Sequence, residues 1–202
     1  MVVIDYSTSI PASAQKIGTD LATKSAGMID APLDRTPTHA KSARLNTMAA
    51  GEIETFETVK PVLDVRGDFF FDLGALDAGH TTKLINNVMG MTSACTMSQV
   101  FAVVQKRPLM ANSCLILCQR VREFSLHVVL QKPCPGWSEQ SWLYIHNGST
   151  DVHYFLQMSE DLGTSSEIAI CTSASMQAAI DVGLGNGNVP KIFDMFAKQG
   201  SK

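Results

Sequence analysis

GHTTKLINNVMGMTSACTMSQVFAVVQK, residues 79–106, runs nearly thirty residues without a proline and is apolar over more than half of its circumference. Leu84, Val88, Met91 and Cys95 follow one another at steps of three and four, while Ile85, Met89, Met97, Val100, Phe101 and Val104 fill adjoining faces. That stripe is too wide for a helix lying on a wet surface, so the pattern predicts one long helix packed on several sides, with a second subunit as one packing partner. At about 1.5 Å per residue it would run roughly 40 Å. Near its start Lys83 and Asn87 are four residues apart and share a helix face, with Asn86 beside them. An amine that can exchange a proton, next to amides that can hold a hydroxyl or carboxylate, suits an acid/base site. The same residues also suit a solvated helix end.

The 202 residues suffice for a buried core in one or two domains. A formal net charge of −3, with no basic tail at either end, argues against a dedicated nucleic-acid binder. With 45% hydrophobic residues, no apolar run reaches the roughly 18 needed to cross a bilayer, so no membrane association is expected. The five cysteines, Cys95, Cys114, Cys118, Cys134 and Cys171, form no CxxC, and the histidines form no HExxH. Free thiols in a reducing compartment and no bound metal are the expectation. Met1-Val2-Val3-Ile4 enters a strand-like run directly, without a signal peptide, which points to the cytoplasm.

From the start of the chain, Val2 to Asp5 reads as a buried strand closed by Ser7-Thr8-Ser9. A helix follows from Pro11 through Ala14, Ile17, Leu21 and Ala22. Residues 28–33 make a second strand, and strand, helix and strand in some thirty residues suggest a βαβ unit. Residues 45–49 are a third strand. A helix then carries Ile53, Phe56, Val59, Val62 and Leu63 up to Gly67, with Pro61 as a point of kinking or breakage. Phe69-Phe70-Phe71 is a fourth strand before the long helix. Beyond it, residues 111–129 suit another helix and residues 132–137 a loop. Leu143-Tyr144-Ile145 and His153 to Leu156 suit strand or helix equally. Residues 161–182 are helix-compatible, and residues 190–198 form a last short helix. Gly183-Leu184-Gly185-Asn186-Gly187 lacks the third glycine of a GxGxxG loop, since Asn188 stands there, so a helix C-terminal turn is expected.

Several of these motifs keep one order and spacing: Asp30-Ala31-Pro32, Gly51-Glu52 with Phe56-x-x-Val59-Lys60-Pro61-Val62-Leu63, and Gly79-x-x-x-Lys83-x-x-x-Asn87. Together they resemble the β-hydroxyacid dehydrogenase family of 3-hydroxyisobutyrate and 6-phosphogluconate dehydrogenases. The resemblance implies an α/β remnant of a Rossmann-type NAD(P)-binding domain over residues 1–76, followed by an all-helical domain built on the long helix over residues 77–202. It further implies an NAD- or NADP-dependent oxidoreductase acting on a small hydroxy acid, and a homodimer through that helix. Lys83 would be the acid/base group. Asn87, Asn86, Arg35 and Thr36 would hold substrate, and Ser7 and Thr8 would sit beside the cofactor at a strand end, or merely cap the helix that follows.

The chain also departs from the family pattern. Asp34-Arg35-Thr36 replaces the commoner Ser-Gly-Gly and is similar to the Gly-Arg-Thr of the branch typified by sulfolactaldehyde reductase, where a guanidinium suits an acidic substrate group. Asp34 adds a carboxylate that could neutralise Arg35. Ala43 and Asp77 replace glycines, and Glu160 stands where a lysine is expected. The glycine-rich fingerprint is missing, as in an N-terminally truncated relative, and its absence predicts no micromolar binding of NADH or NADPH by this chain. The alternative is a non-catalytic, homodimeric or interaction protein.

Overall fold

The computed structural model of the protein describes residues 1–35, 37–65, 67–105 and 143–198. They fall into two compact units, Met1–Asn86 with Tyr154–Ser165, and Asn87–His153 with Ser166–Lys202. The first unit carries a mixed sheet of five strands. β1 (Val2–Asp5) leads into α1 (Pro11–Ala22), and β2 (Gly27–Asp30) returns parallel to β1, so the expected βαβ unit is present. Pro11 occupies the first turn of α1 after Ile10, where its missing N–H does no harm.

The predicted strand over residues 28–33 is divided into β2 and β3 (Leu33–Asp34). Proline is the reason, because Pro32 brings no N–H to the ladder. The register nevertheless continues across the gap, with Asp30 opposite Ala50 and Leu33 opposite Thr47 on antiparallel β4 (Leu45–Gly51). The Pro32 carbonyl still accepts the Met48 N–H at 3.1 Å. Between β3 and β4 lies α2 (Pro37–Lys41), and β5 (Gly67–Asp72) pairs in parallel with β4.

α3 (Ile53–Asp64) turns Phe56, Val59 and Leu63 inward at helical spacing, into one cluster with Ile29, Ala31 and Ala49 of the sheet. Each such side chain contributes about 1.5–3 kcal/mol on burial. Pro61 stands on the exposed face, and the helix neither breaks there nor reaches Gly67, ending at Asp64.

The long helix is α4 (Ala78–Gln105), one residue displaced from the predicted span. Its first residues belong to the first unit and the remainder to the second. Within the second unit Val88, Met91, Ala94 and Cys95 are buried, as the three-and-four spacing requires. Of the two runs that suit strand or helix equally, residues 153–156 are helical throughout, while Leu143-Tyr144-Ile145 enters the helix only at Ile145. Tyr144 makes an isolated bridge with Asn188, and α5 (Ile145–Asp161) begins directly after it and includes residues 153–156. A β carbon on Gly148 of α5 would lie 2.7 Å from the Met91 sulfur and 2.8 Å from the Met176 methyl, so glycine permits the close packing there. Residues 161–182 are not one helix: α5 ends at Asp161, and α6 (Glu167–Asp181) starts after a turn at Gly163, whose φ is 63°. α6 closes on Gly183, with φ 83°, as expected of a C-terminal glycine turn. A 3-10 turn (Val189–Lys191) and α7 (Ile192–Lys198) complete the described chain. The helix and loop expected over residues 111–137 lie outside the described residues.

Candidate functional site

The start of α4 is fixed to the sheet by one buried carboxylate. Asp30, the last residue of β2, accepts the Asp77 N–H on Oδ1 at 3.0 Å and the His80 N–H on Oδ2 at 2.7 Å. Two of the otherwise unpaired N–H groups at the helix N-terminus thereby find a partner of favourable charge. The approach is so close that only glycine fits at position 79. A β carbon there would lie 2.5 Å from the Met48 carbonyl oxygen and 2.7 Å from Asp30 Oδ2. Burial raises the Asp30 carboxyl above its ordinary value of 3.8, against the pull of these N–H groups and of His80.

His80 is fully buried, with Nε2 3.4 Å from Oδ2 of Asp5 at the end of β1. Among the described residues neither ring nitrogen makes a hydrogen bond. Asp5 Oδ1 accepts the Ser7 N–H at 2.9 Å, closing the turn that carries Ser7 and Thr8 out of the sheet. Burial alone would raise the Asp5 carboxyl, but the Ser7 bonds and the nearby imidazole outweigh it and leave the group below its ordinary 3.8. Thus β1, β2 and the first turn of α4 meet at Asp5, His80 and Asp30.

One turn further along α4, Lys83 is largely buried. Its Nζ lies 3.3 Å from Asp34 Oδ1 on β3, and Asn86 Nδ2 donates to the same oxygen at 3.4 Å. Lys83, Asn86 and the Asp34–Arg35 segment are therefore brought together. The carboxylate of Asp34 meets Lys83, while the guanidinium of Arg35 donates through Nη1 to the Arg44 carbonyl at 2.7 Å. Thr36 lies outside the described residues. Asn87 belongs to the second unit, where Nδ2 donates to the Asp151 carboxylate at 2.8 Å in a buried pair.

Sequence reasoning missed Asp5, His80 and Asp151 altogether, and saw Asp30 and Gly79 only as motif letters. The Asp5-x-Ser7 turn was the one local signal available. Asp151 stands 64 residues from Asn87 and gave none.

Residues 1–97 match the family model described as the NAD binding domain of 6-phosphogluconate dehydrogenase. The 3-sulfolactaldehyde reductase of Escherichia coli (strain K12) is 34% identical over 90 residues, which cover 45% of this chain and 30% of that enzyme. The 3-hydroxyisobutyrate dehydrogenase of Pseudomonas aeruginosa is 27% identical over 183 residues, covering 90% of this chain and 59% of the enzyme. This chain therefore spans less than two thirds of the length of either relative. In fold it is similar to the solved Mycobacterium tuberculosis 3-hydroxyisobutyrate dehydrogenase with L-serine, with a TM-score of 0.84 at 18% identity over 96% of this chain and 69% of that one. The partial Rossmann-type sheet, the helices that follow it and the motifs running from Asp30 to Asn87 agree with these matches: over residues 1–97, just under half of its length, the chain is similar to the NAD binding domain of 6-phosphogluconate dehydrogenase, and its fold is that of the 3-hydroxyisobutyrate dehydrogenases.

Proposed function

We propose that the chain acts as an NAD(P)-dependent oxidoreductase on the CH–OH group of a small hydroxy acid, with Lys83 as the acid/base group. In this reading residues 1–76 are part of the dinucleotide-binding domain and residues 77–202 the helical domain. The observation that carries it is the placement of Lys83: a largely buried amine on a helix anchored to the sheet by Asp30, next to Asn86 and one turn beyond His80.

The residues present fit only one end of the cofactor. Ser7 and Thr8 follow the carboxyl end of β1, where α/β sheets bind their ligands, and their hydroxyls suit a nicotinamide or its ribose. The pyrophosphate finds no such match. Among the described residues no strand-to-helix turn carries GxGxxG, and at the start of α1 Pro11 has no N–H while the Ser13 N–H is bonded to the Ile10 carbonyl at 3.0 Å. A bound nicotinamide would supply the hydride acceptor. Lys83 Nζ takes the hydroxyl proton during oxidation and returns it in the reverse direction. Asn86 orients the substrate through its amide, and Arg35 pairs with its acidic group. The expected assembly is a homodimer through α4.

The test is hydride transfer followed by nicotinamide absorbance over a panel of small hydroxy acids. Lys83→Ala is expected to lower turnover by about 10²–10⁴-fold with cofactor affinity nearly unchanged. Unaltered turnover in that variant would dismiss the lysine's role. A second reading, a non-catalytic relative, is favoured by Asn87 being already engaged by Asp151. Failure of every hydroxy acid with both cofactors, in folded protein that also shows no nucleotide binding by calorimetry, would decide for it.

A further inference from the structure

The Asp34 carboxylate occupies the place where an acidic substrate would first be drawn. Its Oδ1 collects both the Lys83 ammonium, at 3.3 Å, and the Asn86 amide, at 3.4 Å. The Asp34 side chain keeps 30% of its exposure while that of Lys83 keeps 11%, so the pair is open to solvent from the Asp34 side. Among the described residues, Oδ2 of Asp34 accepts no hydrogen bond. Asp34 is also held in place, because its backbone pairs with Asn46 in the β3–β4 ladder and the next residue, Arg35, ties its guanidinium to the Arg44 carbonyl.

We propose that Asp34 is the specificity-determining residue of this site, favouring a hydroxy compound that carries an ammonium group beside its hydroxyl over one whose only charge is negative. The inference rests on the hydroxy-acid reading and narrows it. With the acidic group of the ligand on Arg35, a ligand without an ammonium brings only negative charge beside Asp34 and offers its open oxygen no cationic partner. An ammonium group instead donates to the open Oδ2 and takes over the pairing with Asp34. Lys83 is then left to face the substrate hydroxyl. A β-hydroxy amino acid carries these groups on adjacent carbons.

The discriminating pair is L-serine and glycerate, which share hydroxymethyl and carboxylate groups and differ by an ammonium against a hydroxyl. Binding of each to the 202-residue chain is measured by calorimetry, in the wild type and in Asp34→Asn, Asp34→Ser and Lys83→Ala. The wild type is expected to prefer L-serine by roughly tenfold, and both Asp34 variants to lose that preference by binding glycerate more tightly. Glycerate bound as tightly as L-serine by the wild type, or a preference retained in both Asp34 variants, overturns the proposal. If the two ligands bind equally and Lys83→Ala abolishes both, the hydroxy-acid reading stands and only the role of Asp34 falls. If no protein binds either ligand, the proposal for Asp34 falls, and the hydroxy-acid reading is decided separately by the panel of hydroxy acids and the nucleotide titration.

Discussion

Asp30 and Asp5 are neighbours across the β1–β2 ladder, yet the fold treats their charges in opposite ways. Asp30 is completely buried, and its ionised form is tolerated because both oxygens receive backbone N–H groups from α4. An asparagine there would turn an NH2 toward one of those donors, so the carboxylate is retained despite its burial. The Asp30 carboxyl is raised, so the folded protein holds that proton more tightly than the unfolded chain, and acidification through this group adds stability. Asp5 is lowered, so its contribution is fully present above its ordinary value of 3.8 and disappears as pH falls through its lower folded value. Asp5→Asn is therefore expected to flatten the acid limb of the stability curve below about pH 4, measured as the urea midpoint against pH. An acid limb identical to that of the wild type would show that Asp5 carries none of this dependence. At this scale the sequence displayed Lys83, Asn86 and Asn87 through helical spacing alone. It did not display their carboxylate partners, because Asp34 and Asp151 reach them only through tertiary folding.

The ends of the elements carry the strain. α1, α2, α5 and α6 all finish in the same reverse turn, in which successive N–H groups bond back to carbonyls of the last helical turn. Gly163 and Gly183 hold the left-handed position in the last two, at φ 63° and 83°, where glycine carries no steric penalty. Ser25 and Ala43 hold it in the first two, at 54° and 53°. Arg35 and Asp77 are also left-handed, at 81° and 93°. Arg35, Ala43 and Asp77 are three positions at which the family pattern places glycine. The backbone has kept the glycine conformation while the side chains have changed. Asp77 gains a partner in exchange, since its carboxylate accepts a hydrogen bond from the Gln15 amide. For Ala43 no compensating side-chain bond is available, because it has only a methyl group. A left-handed alanine costs about 1–2 kcal/mol, of which the freer unfolded chain of a glycine variant gives back about 0.4–1. Ala43→Gly should raise stability by about 0.5–1 kcal/mol, read as an increased urea midpoint at unchanged slope. A lowered midpoint would mean that the α2–β4 turn is not strained. Element identity was legible wherever a periodic apolar run met a glycine or proline, as in α3, α4 and the turn after α6. It was not legible in α5, whose short apolar runs around Ile145 and Phe155 are separated by polar residues and suit either period.

At the scale of the molecule, the order of strands and helices was readable over the first hundred residues because βαβ chemistry and helix periodicity agree there. The antiparallel course of β2 and β3 against β4 was not, since nothing in a short apolar run declares its direction. The width of the apolar stripe on α4 raised a further expectation, that part of it is covered by a second copy of the chain. Within the second unit, Met89, Val100 and Val103 of α4 remain 42%, 38% and 69% exposed. Met89 and Val100 are eleven residues apart, which is close to three full turns and so the same face, and Val103 lies one turn beyond. Covering these three side chains in a symmetric contact would contribute at best about 1.5–3 kcal/mol for each, twice over in a dimer. Placing a carboxylate at two of the three positions removes that gain and buries charge against its own symmetry mate. Sedimentation velocity is accordingly expected to show the wild type at twice the 21.8 kDa chain mass, and the double variant Val100→Asp, Val103→Asp at the chain mass itself. A monomeric wild type at micromolar concentration would refute the dimer. A variant that remained dimeric would move the interface off this face of α4, because two buried aspartates facing their own copies cost more than an interface of this size returns.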